Sequence, residues 1–173
     1  RTGSGHHSVE CFQRKGRLSG MIRLRRLEAK DIPGMLEWMH DPSVVEYMQA
    51  DFAGKTLEDC EAFIKSAQKM NESMHLAIAD DNDQYQGTVS LKYIRDGSAE
   101  FAITIRSSAM GRGISRYAMK EIIRTGFDEL RLQRIYWCVD PANKRAVRFY
   151  DKNGFKRVEA TSLPVQAADT EDS

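Results

Sequence analysis

The stretch 99–119 constrains the fold most. Seven residues, AEFAITI, alternate like a strand and run into AMGRGISRYAM, where Gly111 and Gly113 stand one residue apart ahead of an amphipathic helical pattern. A strand, a tight turn and a helix in direct succession point to layered packing in which the helix folds back on the sheet. Glycine lets a backbone turn sharply or come close to a neighbour, and the first amides of the following helix have no intrahelical acceptor, an arrangement that favours an anion. The dinucleotide fingerprint fails, because the third glycine is replaced by Arg116 and no acidic residue ends a short strand about twenty residues on. The Gly-Lys-Ser/Thr ending of a triphosphate loop is also absent. Two readings remain: a cradle for a diphosphate, or a plain strand-to-helix turn in which the glycines relieve sterics.

The rest of the chain alternates strands and helices without a linker or an internal repeat. Residues 21–27 read as a first strand; Asp31 is placed to cap a helix with Pro33 in its first turn and Met35, Leu36 and Met39 on its apolar face. Thr56 and Asp59 form a capping-box pattern before a helix carrying Leu57, Cys60, Ala62, Phe63, Ile64 and Ala67. Residues 75–79 and 86–94 read as a hairpin around the 80–83 turn. After the glycine loop, Ile114, Ala118, Met119, Ile122, Ile123, Phe127 and Leu130 make one stripe, beside a basic ridge of Arg112, Arg116, Lys120 and Arg124. A strand at 134–139, a helix begun by Asp140-Pro141 and ended at Asn153-Gly154, and a strand opening at 155–158 complete the order.

Composition excludes several classes. The net charge of +1 is not the footprint of a nucleic-acid-wrapping or membrane-surface protein. No apolar run reaches membrane-span length, and Cys11, Cys60 and Cys138 suggest neither a disulfide framework nor a zinc site. A cytoplasmic, metal-free protein is the expectation. Residues 1–20, with GSG and His6-His7, read as an expression-tag remnant or flexible extension, and 161–173 as a disordered acidic tail, leaving 21–160 as one domain.

A second motif changes the weight of the first. Asn143, Ala146, Phe149, Tyr150, Gly154 and Phe155 follow N-x-x-A-x-x-F-Y-x-x-x-G-F, one helix and one strand after Gly111 and Gly113. In this order and spacing the chain resembles the GNAT superfamily of acyl-CoA-dependent N-acetyltransferases, most nearly its spermidine and ribosomal-protein-alanine acetyltransferase branch. Ser108 stands where the family has Gln or Arg. The resemblance implies an α+β fold with a mixed, twisted sheet of six to seven strands flanked by helices. Its last strand is short here, lent by a neighbouring chain, or missing, which leaves room for a homodimer.

The resemblance also implies roles. Backbone amides of Met110, Gly111, Arg112, Gly113, Ile114 and Ser115 would hold the coenzyme A diphosphate of acetyl-CoA, the co-substrate, with the Arg112 side chain adding charge. Ile103 and Ile105 would pair with the pantetheine arm through their backbone, and Asn143, in the same motif as Ala146, would hydrogen-bond that arm. Tyr150 would protonate the departing sulfur, against a reading as a buried aromatic of the helix stripe. Glu100 would take the amine proton through water, against a reading as an exposed strand-end carboxylate. An alkyl amine near pKa 10.4 lies about 4 to 5 kcal/mol from its neutral form at pH 7, whereas an N-terminal amine near 7.7 to 8.0 lies much closer. The expected acceptor is a small primary amine, polyamine or amino-sugar, with a peptide N-terminus second. Residues 41–69, with Glu46, Asp51, Glu58, Asp59 and Glu61, would shape its entrance or simply form a solvated face. His75 has a structural reading beside a substrate-contacting one. Rival functions are a catalytically silent acyl-CoA-binding module and a nucleic-acid-binding domain using the basic ridge.

Overall fold

The computed structural model describes residues 22–48 and 50–154. The readings for 1–20, 155–158 and 161–173 therefore lie outside the described residues. Strands β1 (Ile22–Arg26), β2 (Met74–Asp80), β3 (Tyr85–Arg95), β4 (Ser98–Ile105) and β5 (Arg134–Tyr136) form one sheet in that order. The first four are antiparallel neighbours, and β5 pairs with β4 in parallel. The helices are α1 (Ile32–Met39), α2 (Pro42–Val45), α3 (Leu57–Ala67), α4 (Ile114–Arg124) and α5 (Lys144–Lys152). The α+β fold and mixed sheet are as expected. The strand number is corrected to five among the described residues, because the expected sixth begins beyond them and no described segment supplies a seventh.

Alternation along the strands produces two apolar layers. On one face Ile78, Val89, Leu91, Phe101 and Ile105 pack with Ile114, Ala118, Met119 and Ile122 of α4. Each large side chain so buried contributes roughly 1.5–3 kcal/mol. A second cluster joins Ala77 and Tyr85 to Met35, Trp38 and Met39 of α1 and to Cys60, Ile64 and Ala67 of α3. Trp38 Nε1 donates to the Tyr85 hydroxyl at 2.8 Å, and that hydroxyl lies 2.7 Å from Thr88 Oγ1, so the polar atoms of this layer are satisfied. The Thr56 capping box is present: Asp59 N donates to Thr56 Oγ1 at 3.3 Å and Thr56 N to Asp59 Oδ2 at 2.8 Å.

Four local expectations are corrected. Asp31 precedes α1, but its carboxylate does not cap it. A 3-10 turn (Ala29–Asp31) directs it backward, where it accepts from Glu28 N at 2.9 Å and both Arg25 nitrogens at 2.8 Å. Arg25 also meets Asp83, as do Arg23 and Lys30, and the hydrogen bonds from Lys30 and then Arg25 hold the Asp83 carboxyl far below its ordinary range. Leu57, first in α3, is 47% exposed rather than on the apolar face. The stripe after Ile123 is broken by a π turn (Thr125–Glu129). The wider turn rotates Phe127 and Leu130 into solvent and aims Gly126 at Leu91 and Ile135, where a Cβ would stand 2.8 Å from Ile135 Cδ1. Finally, α5 is opened by Asn143 and not by Asp140-Pro141. Asp140 closes a preceding turn, accepting from Ala142 N and Asn143 N at 2.9 Å each, and the Asn143 side chain accepts from Ala146 N at 3.2 Å.

Candidate active site

The glycine loop sits between a 3-10 turn (Ser107–Ala109) and α4. Gly111 has φ +76° and Gly113 φ +77°, left-handed values that a side chain resists. A Cβ at either position would meet nothing within 4 Å, so backbone conformation, and not crowding by the protein, selects glycine at both. Gly113 is the N-cap of α4, without a side-chain cap, and the amides of Ile114, Ser115 and Arg116 open the helix. Among the described residues, backbone bonds resume at Tyr117 N, which donates to Gly113 O at 3.2 Å. The loop thus turns several amides and a helix dipole toward one open face. Ser108 and Arg112 are exposed, Met110 and Ser115 half-buried, and Ile114 is in the core.

The edge of β4 leads directly to this loop. Only Ser98, Ala99 and Glu100 pair with β5, opposite Arg134, Ile135 and Tyr136. Beyond Glu100, β4 has no strand partner on that side among the described residues. Arg106 N donates to Gln86 O at 3.0 Å, which sets the alternation: even-numbered residues of β4 bond toward β3, while the amides and carbonyls of Ile103 and Ile105 point to the open edge. β5 stops at Tyr136 and not at the expected 139; next to its end Trp137 packs edge-on against Phe101 at 5.9 Å and tilted against Tyr150 at 5.2 Å.

Where the ladder ends, β4 and the chain after β5 leave a wedge-shaped opening, and helix α5 follows it in sequence. Asn143 caps it with Oδ1, which leaves its Nδ2 donors for other partners, and Ala146 is half-buried in the first turn. Phe149 and Tyr150 contact each other at 5.3 Å and pack against the α4-side core. Burial pushes the Tyr150 phenol up to about 12, so the group stays a proton donor throughout the neutral range.

Glu100 lies on the opposite face of β4, with Ala102 and Thr104. Its carboxylate meets Lys92 Nζ of β3 at 3.2 Å and is 17% exposed, so the strand-end reading as an unpartnered surface acid is set aside. Glu100 and Tyr150 therefore lie on opposite faces of the sheet at β4. Farther along the same face, His75 Nδ1 is 2.6 Å from Ser90 Oγ and its ring abuts Phe63 at 4.8 Å. Burial, aided by Lys92, lowers His75 to about 4 and keeps it neutral.

The loop is tied to the helices on this second face. Arg106 forms a two-pronged pair with Glu37 of α1 at 2.6 and 2.7 Å and donates to Tyr85 O at 3.3 Å. Asp41, capping α2, has its pKa lowered by hydrogen bonds from Ser43 and, secondarily, Ser107. Nothing in the sequence flagged Arg106 and Glu37, whose pairing spans 69 positions. Of the acids expected at the entrance, Asp59 is used in the α3 cap, while Glu46, Asp51, Glu58 and Glu61 are exposed. Arg112, Arg116, Lys120 and Arg124 form a solvated ridge, with one pairing, Arg124 to Glu121 at 3.6 Å. Among the described residues no group of three or more His, Cys, Asp or Glu could hold a metal ion, and no helix is long and apolar enough to cross a membrane.

Residues 21–156 match the family model described as an acetyltransferase (GNAT) domain. The chain is 28% identical over 141 residues to spermidine N(1)-acetyltransferase of Escherichia coli strain K12, covering 78% of this chain and 72% of that protein. It is 23% identical over 180 residues to aminoglycoside N(6')-acetyltransferase type 1 of Serratia marcescens, covering 91% and 89%. Among solved structures, spermidine N-acetyltransferase from Vibrio cholerae in complex with CoA and spermine superposes with a TM-score of 0.73 at 24% identity, over 80% of this chain and 83% of that one.

Proposed function

The chain belongs to the GNAT family of acetyltransferases, and from that premise we propose that it transfers the acetyl group of acetyl-CoA to a primary amine of a small molecule, a polyamine or an amino-sugar. The observation that carries the reading is the early end of the β4–β5 ladder, which leaves Ile103 and Ile105 with backbone donors and acceptors directed at an open edge. That edge runs into a loop whose Gly111 and Gly113 have open space before them. An extended, amide-containing arm ending in a diphosphate fits both halves of this surface. Relatives named for spermidine and aminoglycoside acetylation support a small, amine-bearing acceptor.

Acetyl-CoA, when bound, supplies a thioester whose carbon–sulfur bond is exchanged for a carbon–nitrogen bond to the amine. The amides of Gly111, Arg112, Gly113, Ile114 and Ser115, with the Arg112 side chain, hold the diphosphate, while the expected Met110 amide is instead spent on Ser107 O at 3.2 Å in the preceding 3-10 turn; Ile103 and Ile105 align the arm; Asn143 donates to it through Nδ2 beside Ala146. Glu100 receives the amine proton through a water, with Lys92 holding the carboxylate in place. Tyr150 gives its phenolic proton to the leaving sulfur, a role its buried, protonated state suits. On this reading the proton acceptor and the proton donor stand on opposite faces of β4.

Assaying spermidine, amino-sugars and N-terminal peptides with acetyl-CoA tests the reading: turnover is expected on small amines, and none on any amine refutes it. Tyr150→Phe is expected to lower kcat about 10²- to 10⁴-fold while coenzyme A affinity stays within a few-fold. Unchanged turnover in that variant removes Tyr150 as the acid.

A further inference from the structure

Arg145 holds a position that neither motif assigns. It is the second residue of α5, yet its guanidinium extends back across the wedge to the glycine loop, with Nη1 2.7 Å from Met110 Sδ. A thioether is a weak, uncharged acceptor, whereas a guanidinium carries five donors in a planar fork suited to phosphate and carboxylate. Several buried or bridging arginines meet carboxylates, Arg25 with Asp31 and Asp83, Arg106 with Glu37 and Arg124 with Glu121, whereas Arg112 and Arg116 of the ridge stand in solvent. Among the described residues Arg145 has no acidic partner. Met110 directly precedes Gly111, so this cation stands at the rim of the loop whose open face carries the unpaired amides.

Resting on the acetyl-CoA reading above, we propose that Arg145 is a coenzyme-binding residue that grips the diphosphate from α5, opposite the glycine loop, exchanging its contact with Met110 for phosphate oxygens. The diphosphate is then bracketed by two elements: backbone amides and the α4 dipole on one side, and a mobile-stemmed guanidinium on the other. The residue would also link the two ends of the cofactor, because Tyr150 lies on the same short helix. Arg145 thereby favours carriers with a phosphate at this point over phosphate-free pantetheine thioesters.

The test compares coenzyme A with pantetheine, which lacks the phosphates, by calorimetry on the full chain and its Arg145→Met and Arg145→Lys variants. Methionine keeps the apolar stem and removes the fork; lysine keeps the charge alone. Arg145→Met is expected to weaken coenzyme A about 10- to 100-fold, leave pantetheine within twofold, and flatten the salt dependence of coenzyme A binding, with Arg145→Lys intermediate. Circular dichroism and thermal melts confirm that each variant is folded. If the variant binds coenzyme A like the wild type, or loses coenzyme A and pantetheine equally, the inference is overturned and the acetyltransferase reading stands. If the unaltered chain binds no coenzyme A, that reading itself fails.

Discussion

His75 makes the stability of this domain depend on pH in a way that can be worked out from its surroundings. The imidazole is held by Ser90 at 2.6 Å, lies against Phe63, and faces the Lys92 ammonium, itself paired with Glu100. Burial and Lys92 lower its pKa from 6.5 to about 4 in the folded chain. The unfolded chain therefore binds the proton first, and stability is lost as pH falls from about 6.5 toward 4, with no contribution above that window. At roughly 1.36 kcal/mol per pK unit, the linkage integral gives a loss of about 1.4 kcal/mol at pH 5.5 and about 2.5 kcal/mol at pH 4.5. Urea unfolding of the wild type and His75→Asn across pH 4.5 to 7.5 isolates this contribution. Asparagine keeps a polar group for Ser90 but does not titrate. The variant is expected to be less sensitive to acid than the wild type by the amounts given. Parallel pH profiles for the two proteins would refute the argument, showing that His75 is hydrated or charged in the folded state.

Two glycine substitutions should behave very differently. Gly113→Ala meets no atom within 4 Å and suffers only its φ of +77°, about 1–2 kcal/mol, readable as a melting temperature lowered by a few degrees. Gly87→Ala drives a Cβ into the Thr104 carbonyl oxygen of the paired strand, and is expected to force β3 from β4 and sharply reduce soluble, folded protein. Comparable thermal melts for the two would contradict the close strand approach at Gly87. Asp31→Asn removes the charge from a carboxylate 1% exposed that takes two bonds from Arg25; a loss of about 3 kcal/mol is expected in denaturant unfolding, and one below about 1 kcal/mol would mean Asp83 compensates.

Strand and helix order over the described residues was legible because most periodic segments bury the face their sequence marks. The Thr56 box was legible because both partners lie within one turn. The errors arose where a distant group outcompeted a local one. Arg25, on β1, draws Asp31 away from α1, and the packing of Gly126 on Leu91 and Ile135 imposes a turn width that shifts Phe127 and Leu130 outward. In the candidate site, positions governed by backbone conformation, Gly111 and Gly113, could be read directly. Arg145 could not, since nothing in the spacing of α5 says which loop lies opposite it. The pairs Lys92 with Glu100 and Arg106 with Glu37 likewise exist only once the sheet and α1 are assembled.

The three-residue β4–β5 ladder has a consequence for colloidal behaviour. A row of main-chain donors and acceptors beside an apolar strand is also what recruits a foreign strand during aggregation. Phe101 through Ile105 offer such a row, and the side chains flanking it, Phe101, Ile103 and Ile105, carry no charge that would repel a newcomer. The edge proposed above to receive an extended amide arm is therefore a solubility hazard whenever it stands uncovered. A ligand lying along it would act as a gatekeeper as well as a reactant.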